Sequence, residues 1–129
     1  MTKIAKLALL GLATVTLMSA EVYELRTYHT LPGRLPALEA RFKNHTVKIF
    51  ERHGMHNVAY WIPSDEPQKS NTLIYVLRHE SRDAAKASWD AFRKDPEWVK
   101  VRDASEKDGK IVEKVDSVFM DAVPWFKKH

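Results

Sequence analysis

The sequence contains no cysteine, which excludes disulfide frameworks, thiolate metal sites, iron–sulfur clusters, cysteine nucleophiles and lipid anchoring through a cysteine. Stability must come from packing and assembly. Glycine is scarce, four in 129 residues. There is no glycine-rich phosphate loop, no serine in a G-x-S-x-G setting, and no carboxylate pair singled out by its surroundings. No apolar run reaches the roughly 20 residues that a membrane-spanning helix needs. Neither sign of charge forms a block. The formal net charge is +4, but Lys3 and Lys6 lie within the first 20 residues, and the remainder sets 19 Lys and Arg against 17 Asp and Glu. Such a mixed surface argues against nucleic acid as a partner.

Met1 to Lys6 is short and basic, Leu7 to Met18 carries no charge, and Ser19-Ala20 is small. This is the layout of a secretory signal peptide covering 1–20, with one domain over 21–129 and a periplasmic or secreted destination. Met18 is larger than the residue usual two positions before a cleavage site. No Arg-Arg pair precedes the apolar run, which points to export of an unfolded chain. No stable membrane span is expected once the signal is removed.

Val22 to His29 alternates, with Tyr23, Leu25 and Thr27 on one face and Glu24, Arg26 and Tyr28 on the other, and predicts a first strand. Leu31-Pro32-Gly33 turns the chain into a helix with Pro36 in its first turn. Leu35, Leu38, Phe42, His45 and Ile49 recur at spacings of three and four, and Gly54 closes the helix as C′. Met55 to Ile62 predicts a second strand, with Val58 and Tyr60 opposite Met55, Ala59 and Trp61; Thr72 to His79 predicts a third. Ser81 caps a helix that carries Ala85, Trp89 and Phe92 on one face, and Asp95-Pro96-Glu97-Trp98 starts another. Ile111 to Val123 is the last strand.

The order β-α-β-β-α-β is that of a ferredoxin-like α+β domain, a four-stranded antiparallel sheet with its helices on one face. Strands two and three are apolar on both parities, so the second face also needs cover. A second copy of the chain supplies it most simply, giving a homodimer whose sheets face each other.

Val22-Tyr23-Glu24-Leu25-Arg26-Thr27-Tyr28, Arg41-Phe42-Lys43-Asn44-His45-Thr46, Glu51-Arg52-His53-Gly54-Met55, Tyr60-Trp61, Asn71-Thr72-Leu73-Ile74-Tyr75 and Asp95-Pro96-Glu97-Trp98 occur in this order. On these segments the chain resembles the NIPSNAP proteins, within the dimeric α+β barrel group of ferredoxin-like folds, over nearly all of 22–123. The resemblance implies a fold and a dimer, and no catalytic residues. The single domain behind a secretory signal sets the chain apart from eukaryotic members, so their mitochondrial and vesicle-traffic roles do not transfer.

With Leu25 taken as the helix-side residue, Glu24, Arg26 and Tyr28 are expected in the space between two sheets. An Arg there needs a partner, either Glu24 in an ion pair or an anionic ligand. Tyr60, Trp61 and Tyr75 join them as candidate binding residues for a flat organic molecule, or else fill the core and interface. His45, on the apolar stripe, is either a buried ring with one hydrogen bond or an acid/base group. His29 and His79 end strands and are expected at the surface. His53 and His56 straddle a helix end and do not share a helical face, so no metal site is expected, nor any cofactor. Three functions remain open: an exported homodimer that binds a small aromatic or anionic molecule; an enzyme similar to the cofactor-independent monooxygenases, isomerases or haem-degrading enzymes of this architecture; or a non-catalytic assembly module.

Overall fold

A computed structural model describes residues 20–127, so the signal-peptide reading falls outside the described residues. Four strands, β1 (Val22–Thr30), β2 (His56–Trp61), β3 (Thr72–His79) and β4 (Val112–Met120), form one antiparallel sheet in the order β2-β3-β1-β4. Helices α1 (Leu35–Arg41) and α2 (Val47–Arg52) are joined by a π turn at Phe42–Thr46, and α3 (Arg82–Lys94) and α4 (Pro96–Ser105) follow β3. The expected architecture is present.

Local chemistry sets the element ends. Gly54, at φ +76°, lets its own N–H reach Glu51 O at 3.0 Å and the Met55 N–H reach Phe50 O at 3.0 Å, a Schellman closure of α2. Ser81 Oγ accepts from the Ala84 N–H, and the Asp95 carboxylate accepts from the Glu97 N–H with Pro96 in the first turn of α4. β4 ends at Met120, three residues before the expected Val123.

Strand partners share a face, and the pairings Glu24↔Leu77, Arg26↔Tyr75 and Tyr28↔Leu73 put these β1 residues on the side that carries the helices. There Leu38, Ile49, Phe50, Tyr75, Leu77 and Ile111 are fully buried and Trp89 and Phe92 nearly so. The expectation that Leu25 faces the helices and Glu24, Arg26 and Tyr28 face away is therefore reversed. Leu25 pairs with Val76 and Val118 on the uncovered side, which it shares with Ala59, Trp61 and Ile74. That side is apolar and open: Trp61 is 51% exposed and Val118 54%.

Two irregularities explain the other departures. The π turn adds a residue to the first helix, so the buried stripe runs Leu38, Phe42, Thr46, Ile49 and Phe50, and His45 turns outward. In β2 the pairing slips between Asn57 and Ala59. This bulge lets Met55 enter the core while Trp61, on the same parity, lies on the uncovered side.

Candidate functional site

Glu24 is 1% exposed, in the middle of the sheet's helix side, because three other elements bring donors to it. On Oε1 it accepts from His79 Nε2 and Trp89 Nε1, each at 2.8 Å, and on Oε2 from Arg26 Nη1 at 2.8 Å and Ser117 Oγ at 2.7 Å. Burial alone raises a carboxyl pKa, but these bonds from His79, Ser117, Trp89 and Arg26 outweigh it and hold Glu24 at about 2. With two donors on each oxygen, no lone pair is left for proton abstraction. Glu24 is an anion throughout the neutral pH range.

That anion fixes the Arg26 guanidinium, which also donates from Nε to Tyr75 Oη at 3.0 Å and from Nη2 to Tyr28 Oη at 3.5 Å. The guanidinium carbon lies 4.2 Å from the centre of the Trp89 ring, a cation–π contact. An arginine has five N–H donors, so two remain unspent among the described residues. Burial works against the charged form, yet Tyr75, Tyr28 and Glu24 together raise the Arg26 pKa. Tyr75 Oη donates in turn to Tyr28 Oη at 3.2 Å. Tyr28 thus accepts twice, from Arg26 and from Tyr75.

The structure brings Glu24, Arg26, Tyr28 and Tyr75 into one network. Tyr60 stacks on Tyr75 at 5.0 Å, but its hydroxyl donates to Asn57 Oδ1, and burial raises the pKa of both tyrosines. Trp61 lies on the opposite face and takes no part. His45 is exposed and lines a separate groove of about 580 Å³ between α1 and α4, which removes it as an acid/base group of this network. His79, expected at the surface, is 1% exposed; facing an acceptor-only carboxylate, its Nε2 carries the proton. His53 Nε2 lies 2.6 Å from Asp95 and His56 Nδ1 3.1 Å from Glu51, so the H-x-x-H pair serves two different carboxylates.

Above the network, between α3 and the β1–β4 half of the sheet, a cleft of about 560 Å³ has Glu24, Arg26 and Ser117 in its lining, with Trp89 and Phe119 beside them. Arg82, Lys86 and Arg93 from α3 bring cations to it, and Asp83 and Asp90 carboxylates. The Arg82 guanidinium sits 3.7 Å from the Phe119 ring centre, and Arg93 is paired with Asp90 at 3.4 Å. Arg82 and Lys86 have no ion-pair partner among the described residues. Trp89, Ser117, Arg82 and Phe119 were missed as site residues in the sequence; only the helical spacing of Trp89 pointed inward, and it pointed to the core.

A four-stranded β2-β3-β1-β4 sheet with helices on one face defines a ferredoxin-like α+β domain. Within that class the chain belongs to the NIPSNAP family, whose model matches residues 23–127. A NIPSNAP family protein with unknown function from Agrobacterium tumefaciens is similar at TM-score 0.68 and 20% identity, over 84% of this chain and 93% of that one. An uncharacterized NIPSNAP-like domain protein from Burkholderia xenovorans matches at 0.71 and 12%, over 85% and 91%. More distant is a monooxygenase from Streptomyces coelicolor in complex with the ligand nanaomycin D, at 0.58 and 17%, over 86% and 95%. No curated protein matches in sequence. At these identities the structural likenesses define the fold alone.

Proposed function

We propose that the chain is an exported homodimer in which each subunit binds a small aromatic anion in the cleft between α3 and the sheet, with Arg26 as the anchoring cation. The observation that carries this reading is the state of Arg26: oriented by Glu24, Tyr75 and Tyr28, backed by Trp89, and holding two unspent donors in the lining of the cleft. Such a guanidinium loses little freedom on meeting a carboxylate, and this preorganisation favours binding. The cleft volume, about 560 Å³, is in the range of small-molecule sites. The guanidinium planes of Arg26 and Arg82, each lying against an aromatic ring, offer stacking surfaces to a flat ligand. The reading is one of binding because the buried carboxylate of the cleft has no lone pair left to act as a base.

Export is supported by the layout of residues 1–20 and the homodimer by the open apolar face around Leu25, Ile74, Val76 and Val118. Titration of the mature protein with 2-naphthoate, followed by tryptophan fluorescence, tests the cleft. Saturable binding is expected, weakened at least tenfold by Arg26→Met in a protein that still folds. Equal binding by that variant overturns the assignment.

A further inference from the structure

We propose that the groove between α1 and α4 is a second ligand site, in which Arg41 holds the carboxylate of an amphipathic organic acid whose apolar body lies on Ala37, Ala40, Val101 and Ala104. The proposal stands apart from the Arg26 cleft and uses none of its residues.

Arg41 is 6% exposed, yet its charge is poorly met. Nη1 donates to Ser105 Oγ at 3.2 Å, and the nearest carboxylate oxygen, on the partly exposed Glu106, is 3.8 Å away, too far for a hydrogen bond. Nε is buried without a partner among the described residues. One face of the guanidinium lies 5.1 Å from the Trp98 ring centre. Arg26, on the same side of the sheet, has three of its donors engaged and a carboxylate at 2.8 Å; Arg41 has one donor engaged and its nearest carboxylate at 3.8 Å, an ion pair without a hydrogen bond. Burial lowers the Arg41 pKa, and the fields of Tyr28 and Glu106 do not make up the difference.

A guanidinium held in low dielectric with open donors is completed by an anion. Arg41 lines the groove, together with Lys100, which has no ion-pair partner among the described residues; the one carboxylate in the lining, Glu97, is held by Arg52 at 2.9 Å. Ser105 Oγ gives its proton to Arg102 O at 2.7 Å, so it accepts from Arg41 and does not compete for the anion. Asn44 and His45 add polar groups to the lining, and the rest of it, Ala37, Ala40, Val101 and Ala104, is small and apolar. On α4 the lining runs from Glu97 to Ser105, roughly 12 Å of helix, so a body of several carbons fits beside the charge. The π turn begins directly after Arg41, and Thr46 Oγ1 donates to Arg41 O at 3.3 Å across it. Such turns recur at functional sites because they re-aim side chains.

The test is calorimetric titration of the mature protein with octanoate. Saturable binding is expected, at least tenfold weaker for octanol and for inorganic phosphate, at least tenfold weaker in Arg41→Gln, and unchanged in Arg26→Met. Ala104→Phe fills the groove without touching the guanidinium and abolishes binding, so it decides the matter even if Arg41→Gln does not fold. Absence of saturable octanoate binding, equal binding by octanol or phosphate, or retention in Ala104→Phe overturns the proposal. Loss of octanoate in Arg26→Met assigns the ligand to the other cleft and overturns it as well.

Discussion

Glu24 Oε2 and Arg26 Nη1 meet at 2.8 Å on the helix side of β1, and the carboxylate is shared with three further donors. The two partners are therefore unequal. Arg26→Met leaves Glu24 with His79, Trp89 and Ser117 but also removes the bonds to Tyr75 and Tyr28, and the expected loss is about 1.5–3 kcal/mol, at the level of a hydrogen bond to a charged group. Glu24→Gln strands a buried guanidinium and sets an amide N–H₂ among donors, with an expected loss of about 3–5 kcal/mol. Adding Arg26→Met to Glu24→Gln does not restore stability, because His79, Trp89 and Ser117 still lack their acceptor. Urea denaturation of the three variants measures this; full recovery in the double variant contradicts the four-donor arrangement.

The same carboxylate gives the fold an acid limit. Its pKa in the folded chain, about 2, is below the ordinary 4.5, so its stabilisation is complete above the ordinary value and is lost as pH falls through about 2. The amount is on the order of 3 kcal/mol. Asp95 acts with the same sign: His53 and Arg52 hold its carboxyl below the usual range. Stability measured between pH 6 and pH 2 should fall steeply in the wild type and less steeply in either Glu24→Gln or Asp95→Asn.

The extra residue of the π turn sets His45 against Thr46. His45→Ala should change stability by no more than about 0.5 kcal/mol, as at an ordinary surface position. Thr46→Val keeps the buried volume but loses the bond to Arg41 O, at about 1 kcal/mol. Uninterrupted α-helical spacing predicts the opposite order, and thermal denaturation of the pair separates the two.

The open sheet face yields a prediction about assembly. Val118→Lys places a charge opposite Leu25 on that face, and the variant should be monomeric by light scattering at micromolar concentration while keeping the wild-type circular dichroism. An unchanged dimer would move the interface elsewhere.

The element order and most ends were legible because their signals are local: Ser81 and Asp95-Pro96 start helices, Gly54 stops one, and alternation marks the strands. Alternation also grouped Glu24, Arg26 and Tyr28 correctly. It could not tell which side faces the helices, and the apolar Leu25 pointed the wrong way. The donors that make Glu24 a core residue lie 55, 65 and 93 positions along the chain, at His79, Trp89 and Ser117. No window of sequence contains them together. The π turn and the β2 bulge each shift a phase by one residue, which periodicity cannot register until packing selects it.

The strand order leaves β2 and β4 as the two borders of the sheet, where unpaired backbone groups can recruit another chain into a growing fibril. β2 interrupts its own border with the bulge between Asn57 and Ala59, so a foreign strand cannot keep register along it. β4 carries Glu113, Lys114 and Asp116 within its nine residues, and a continued ladder would stack these charges on neighbouring copies. A chain with an open apolar sheet face can thus associate face to face while resisting edge-to-edge polymerisation, a distinction that matters most at high local concentration.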